Sequence, residues 1–183
     1  MTEYEQLCEK QLTSEDKFNG NILHVKFDTV ELPNGNTATR EVIRHIGAVC
    51  VVPVDENGNV VMERQFRYPL DKVISEIPAG KLDRPDEDRL AAAKRELREE
   101  TGYTADEWTD LGLYHPAAAY CDETITIYLA KGLHKGERSL DDDEFLNVEL
   151  VPLKKLADEV VAGNITDGKT QVAILKAARI LGV

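Results

Sequence analysis

The chain has 183 residues, with 34 acidic against 22 basic side chains and a formal net charge of -12. That balance argues against a nucleic-acid groove, which gathers lysine and arginine, but it permits a small anionic substrate met by bound cations and a few local arginines. The length suits one domain with a sizeable core and a small appendage.

The start, Met1-Thr2-Glu3-Tyr4-Glu5, lacks the basic residues and apolar run of a secretory signal. No stretch approaches the ~20 apolar residues needed to cross a bilayer, so a cytoplasmic protein with no membrane partner is expected. Cys8, Cys50 and Cys121 are odd in number and widely spaced, which suits reduced thiols. His24, His45, His115 and His134 show no metal-ligand spacing.

Ile22 to Leu32 alternates apolar and polar residues and runs into the turn Pro33-Asn34-Gly35-Asn36, after which Thr37 to His45 reads as a second strand. A hairpin subdomain over residues 1–45 is therefore predicted, ahead of a catalytic domain over 46–183. Ala48 to Val54 is continuously apolar, as in a buried strand, and the turn Asp55 to Asn59 leads to a partner strand over Val60 to Gln65.

The stretch from Gly80 to Tyr103 reads GKLDRPDEDRLAAAKRELREETGY. It predicts a helix stopped by Gly102, with Leu90, Ala93 and Leu97 as its buried stripe. Residues four apart share a helix face, so Glu96 and Glu100 reach one cation while Glu99 approaches from the side. Hard oxygen donors suit magnesium or manganese. The competing reading is a solvated face with an Arg95–Glu99 ion pair. Beyond the helix, Trp108 to Tyr114, Thr124 to Ala130 and Val148 to Val151 read as strands. Helices follow over 153–161 and 166–181, the second with Ile174, Leu175, Ala178 and Leu181 as its stripe. This order indicates an α+β or α/β/α sandwich.

These residues resemble the Nudix hydrolases. Arg95, Glu96, Leu97, Glu99, Glu100, Gly102 and Tyr103 fit that family's signature in register, and seven residues separate Glu87 from Arg95 as the signature requires. Gly80 and Glu87 enclose six residues where the signature has five, so either the loop carries an insertion or Asp86 takes the early acidic place. The run from Phe18 to Arg67, and Glu76-Ile77-Pro78-Ala79-Gly80-Lys81-Leu82, look like the ADP-ribose pyrophosphatase branch. One departure is Ala118, which stands where that branch commonly has proline, with Pro116 two residues earlier.

The resemblance implies a Nudix fold, an α/β/α sandwich with a mixed sheet, plus the amino-terminal β-hairpin. It implies Mg2+ (or Mn2+) held by Glu96, Glu99, Glu100, the Ala79 carbonyl and Asp143, with Asp141 as general base and Arg95 orienting a carboxylate. Arg40, Arg44 and Arg67 are read as phosphate contacts, because the guanidinium fork matches phosphate oxygens, and Phe66 or Tyr68 as adenine contacts. The implied reaction cleaves a nucleoside diphosphate sugar, ADP-ribose first, to AMP and ribose 5-phosphate. Alternatives are another derivative such as GDP-mannose, or a nucleotide-sensing module without catalysis. A homodimer is expected, the hairpin of one subunit completing the other's pocket with Arg40.

Overall fold

A computed structural model of the chain describes residues 2, 5–140 and 145–183. They form two compact units, one of Met1–Ile46 with His115–Thr124, the other of Gly47–Tyr114 with Ile125–Val183.

The first unit is built on three antiparallel strands in the order β1 (Lys10–Asn19), β2 (His24–Glu31), β3 (Thr37–Arg44). The predicted hairpin is β2–β3; β1 is an addition. Every residue of β1 is exposed, so it carries no burial alternation by which sequence would reveal it. The stretch 115–124 belongs here: a turn after Pro116 closes with Tyr120 and Cys121 donating to the Ala117 carbonyl at 3.0 and 2.9 Å, and Ile43 donates to Tyr120 at 2.7 Å. The turn is thus present although proline stands two residues early.

In the second unit, β4 (Ala48–Pro53), β7 (Ala79–Lys81), β8 (Tyr103–Tyr114) and β9 (Ile125–Lys135) make a mixed sheet in the order β7-β4-β9-β8. Only the β4–β9 pairing is parallel. A second sheet takes the order β10-β5-β6, from Leu146–Pro152, Asn59–Arg67 and Lys72–Glu76. All of β4 is buried, as its unbroken apolar run predicts. Ala48, Cys50 and Val52 join one core cluster with α2 (Leu153–Val161) and α3 (Gly168–Leu181). Val49 and Val51, equally buried, alternate onto the other face, and α1 (Arg89–Thr101) also packs on β4. A helix-sheet-helix arrangement follows.

Two stripes differ from expectation. In α1 the fully buried residues are Ala92, Ala93 and Leu97, with Leu90 only half-buried. In α3, Ala173, Ile174, Ala177 and Ala178 are buried while Leu175 is exposed and Leu181 half-buried. Small alanines let α3 lie close to its neighbours and take the places assigned to the larger leucines. No helix among the described residues is long and apolar enough to cross a membrane.

Candidate active site

The site is built on α1 and the strand that precedes it. Asp88 caps α1 by accepting from the Ala91 amide at 2.8 Å, and Gly102 closes it in the left-handed region at φ 76°. The loop between β7 and α1 settles the early acidic position. Glu87 accepts from the Asp83 amide at 2.7 Å and lies 3.5 Å from Arg95, whereas Asp86 pairs outward with Arg84 at 3.1 Å. The extra residue is thus accommodated in the loop, and Glu87 keeps its place.

The three signature glutamates, Glu96, Glu99 and Glu100, are half-buried or buried. Glu100, at 5 % exposure, accepts from the Ala79 amide at 3.0 Å. The Glu96 carboxylate packs against Gly80 so closely that any Cβ there would collide with it. A side chain at this position would therefore displace the Glu96 carboxylate from the backbone it lies against. Arg95 donates to Glu96 at 2.7 Å and to Glu99 at 3.4 Å, while Arg98 donates to Glu99 at 3.1 Å. Burial works against the Arg95 charge, but Glu96, Asp83 and Glu87 outweigh it and raise its pKa above the ordinary guanidinium value. The Arg95–Glu99 ion pair of the competing reading is present, and Glu96 and Glu100 also lie against the β7 backbone.

Among the described residues, no three histidines, cysteines or acidic side chains converge closely enough to hold a metal. The donor chemistry nevertheless fits a hard divalent cation, with Glu96 and Glu100 four residues apart and both seated on the Ala79–Gly80 backbone. Asp141 and Asp143 lie outside the described residues. The segment leading to them is anchored to the end of α1: Gly136 donates to the Gly102 carbonyl at 2.7 Å, and Ser139 donates to the Glu99 carbonyl at 3.0 Å.

The other assigned residues are distributed differently. Arg67 is in the second unit and makes a forked pair with buried Glu76, at 2.6 and 2.9 Å. Phe66, next on the strand, turns to the opposite face, where with Arg64, Val73, Arg138 and Phe145 it lines a cleft of about 470 Å³. Tyr68 is 87 % exposed. Arg40 and Arg44 belong to the first unit, where Arg40 pairs with Glu9 at 3.0 Å and Arg44 with Asp122 at 3.1 Å and Asp28 at 3.6 Å.

Sequence reasoning did not single out the partners of Arg67. Lys169, on the first turn of α3, bonds to Glu76 and lies 3.1 Å from Asp167. Thr170 accepts from the Ile77 amide at 3.1 Å and donates to Asp167 at 2.6 Å. Burial opposes ionisation of Glu76, yet Arg67 and Lys169 hold its carboxyl below the ordinary range. Burial likewise opposes the Lys169 charge, and Asp167 with Glu76 raises it. Glu76 and Lys169 are far apart in the chain, so no local spacing exposes their contact.

This geometry agrees with the comparisons. The NUDIX domain profile matches residues 44–169, and the nucleoside diphosphate sugar hydrolase N-terminal domain profile matches residues 9–43. The chain belongs to the Nudix family. It is 40 % identical over 170 residues to the ADP-ribose pyrophosphatase of Bacillus subtilis (strain 168), covering 92 % of this chain and 91 % of that one. It is also 40 % identical over 168 residues to the methanol dehydrogenase activator of Bacillus methanolicus, covering 91 % and 90 %. A crystal structure of an ADP compounds hydrolase superposes with a TM-score of 0.85 at 23 % identity, covering 96 % of both chains, and so shares the Nudix fold. Hydrolases of this family depend on a divalent metal.

Proposed function

We propose that this protein hydrolyses the pyrophosphate bond of ADP-ribose to AMP and ribose 5-phosphate, using Mg2+ or, in its place, Mn2+. The observation that carries the reading is the seating of Glu96 and Glu100 on the Ala79–Gly80 backbone, in a chain similar along nearly its whole length to an ADP-ribose pyrophosphatase.

Glu96, Glu100 and the Ala79 carbonyl would hold the cation, with Glu99 and Asp143 as further donors. When bound, a divalent ion acidifies the attacking water and offsets the charge that grows on the departing phosphate. Arg95 orients Glu96 and Glu99 through its hydrogen bonds to both. Asp141 takes the proton of the attacking water, whose oxygen forms the new bond to phosphorus as the bridging P–O bond breaks. Both products leave as phosphate monoesters. Arg67, fixed by Glu76, directs its remaining guanidinium edge to a phosphate oxygen. Tyr68 keeps its assignment as a base contact, and Phe66, on the face of β5 opposite Arg67, is not carried over.

The protein works as a homodimer, with Arg40 and Arg44 brought to the partner's pocket. Exposed Leu12, Phe18, Ile22 and Leu23 on the first unit support this, since such side chains are commonly covered by a second subunit. Free Cys8, Cys50 and Cys121 support a reducing, cytoplasmic setting.

Ala118 favours a second substrate reading, in which the pocket takes another nucleoside diphosphate sugar such as GDP-mannose. Assay of ADP-ribose, other ADP-sugars and GDP-mannose, each with magnesium and with manganese, decides between them. Metal-dependent AMP and ribose 5-phosphate from ADP-ribose at the highest kcat/KM is expected. Absence of metal-dependent nucleoside monophosphate release from every compound overturns the hydrolase reading. Light scattering at working concentration tests the dimer.

A further inference from the structure

We propose that Lys169 is a positioning residue for the substrate: it shares Glu76 with Arg67 and thereby leaves one edge of the Arg67 guanidinium available to the diphosphate. The inference rests on the reading of Arg67 as a phosphate contact.

Four charged groups meet here, Arg67 and Lys169 against Glu76 and Asp167, so the cluster is balanced. Glu76 is 3 % exposed and cannot turn to water for relief. Its Oε1 accepts from Arg67 Nε, while its Oε2 accepts from both Arg67 Nη2 and Lys169 Nζ. Arg67 Nη1 takes no part in these bonds, and the Arg67 side chain is 41 % exposed where that of Lys169 is 12 %. One cation of the pair is therefore sealed in, and the other faces outward.

Removal of the sealed cation changes the task of the outward one. Two carboxylates would then share a single counterion, and a buried carboxylate without its cation is strongly disfavoured. Arg67 would be drawn inward as their sole cation, and its outward edge would no longer be held in register with a phosphate. Lys169 needs no contact with substrate for this. Arginine keeps the charge, so Lys169→Arg retains most of the effect.

The test is a kinetic cycle on ADP-ribose with wild type, Arg67→Ala, Lys169→Met, Lys169→Arg and the Arg67→Ala/Lys169→Met double variant. Circular dichroism first confirms folding, and Lys169→Gln replaces Lys169→Met if the latter does not fold. Lys169→Met is expected to raise KM about 10-fold with kcat within about threefold, and Lys169→Arg to restore most of the KM. In the double variant, loss of Lys169 should add little to the KM of Arg67→Ala, as for residues acting through one contact. If Arg67→Ala raises KM but Lys169→Met does not, or if the two effects multiply, the positioning role is overturned and the Arg67 contact stands. If Arg67→Ala leaves KM unchanged, the contact itself is wrong and the inference fails with it.

Discussion

The Ala79 amide donates to the Glu100 carboxylate at 3.0 Å, tying the last box glutamate to the strand that carries Gly80. A neutral glutamine at this position keeps an oxygen acceptor for the amide and loses only the charge. Glu100→Gln is accordingly expected to fold with a melting temperature close to wild type, while kcat at saturating magnesium falls by about 100-fold or more. Near-normal turnover would remove Glu100 from the cation site.

The loop base is tested against its own neighbour. Asp141→Asn should lower kcat by about 10²–10⁴-fold with a smaller change in KM, whereas Asp142→Asn should leave both nearly unchanged. Equal, small effects at the two positions would reassign the base.

Glu76 makes acid stability depend on a buried carboxylate outside the signature helix. Its folded-state pKa is depressed, so an unfolded chain takes up this proton first as pH falls, and the stabilisation present at neutral pH is lost on acidification. Urea midpoints measured from neutral pH down to about pH 3 should fall less steeply for Glu76→Gln than for wild type. The same variant should be less stable at neutral pH, where the buried pairs with Arg67 and Lys169 are intact in wild type. Parallel acid limbs for the two proteins would show that Glu76 does not govern this window.

Cys50 is fully buried in β4, and burial pushes its thiol up to about 12, with Lys169 lowering it and Asp167 raising it to smaller extents. It should resist a thiol-specific reagent in the native enzyme and react on denaturation. Comparison of thiol counts in wild type and Cys50→Ala, before and after adding denaturant, checks this: the native counts should agree and the denatured counts differ by one thiol.

Sequence was most informative where one element contains the whole pattern. Glu96, Glu99 and Glu100 share a helix, and a glycine stop and an alanine-leucine stripe favour the same segment, so α1 was legible, although its Asp88 cap was not singled out. Long apolar β4 was legible for a similar reason. Strand β1 was not, because ten exposed residues give no alternation, and β7 is too short, at three residues, to show a period. Arg67 was singled out by its type, but the contacts that join it through Glu76 to Lys169 and Asp167 arise where α3 meets the end of β6, which no motif encodes. Phe66 and Arg67 show a related limit: neighbours in sequence, they face opposite sides of β5.

Gly102 meets two separate constraints at one position. Its φ of 76° excludes most side chains, and a Cβ would lie 2.8 Å from the Gly136 carbonyl oxygen and 3.0 Å from the Arg138 amide. Asparagine, which tolerates the left-handed dihedral, would relieve the first constraint and still meet the second. The permitted vocabulary at this position is therefore a single letter, and its loss would be felt at the end of α1 and in the segment from Gly136 to Ser139 that bonds to it.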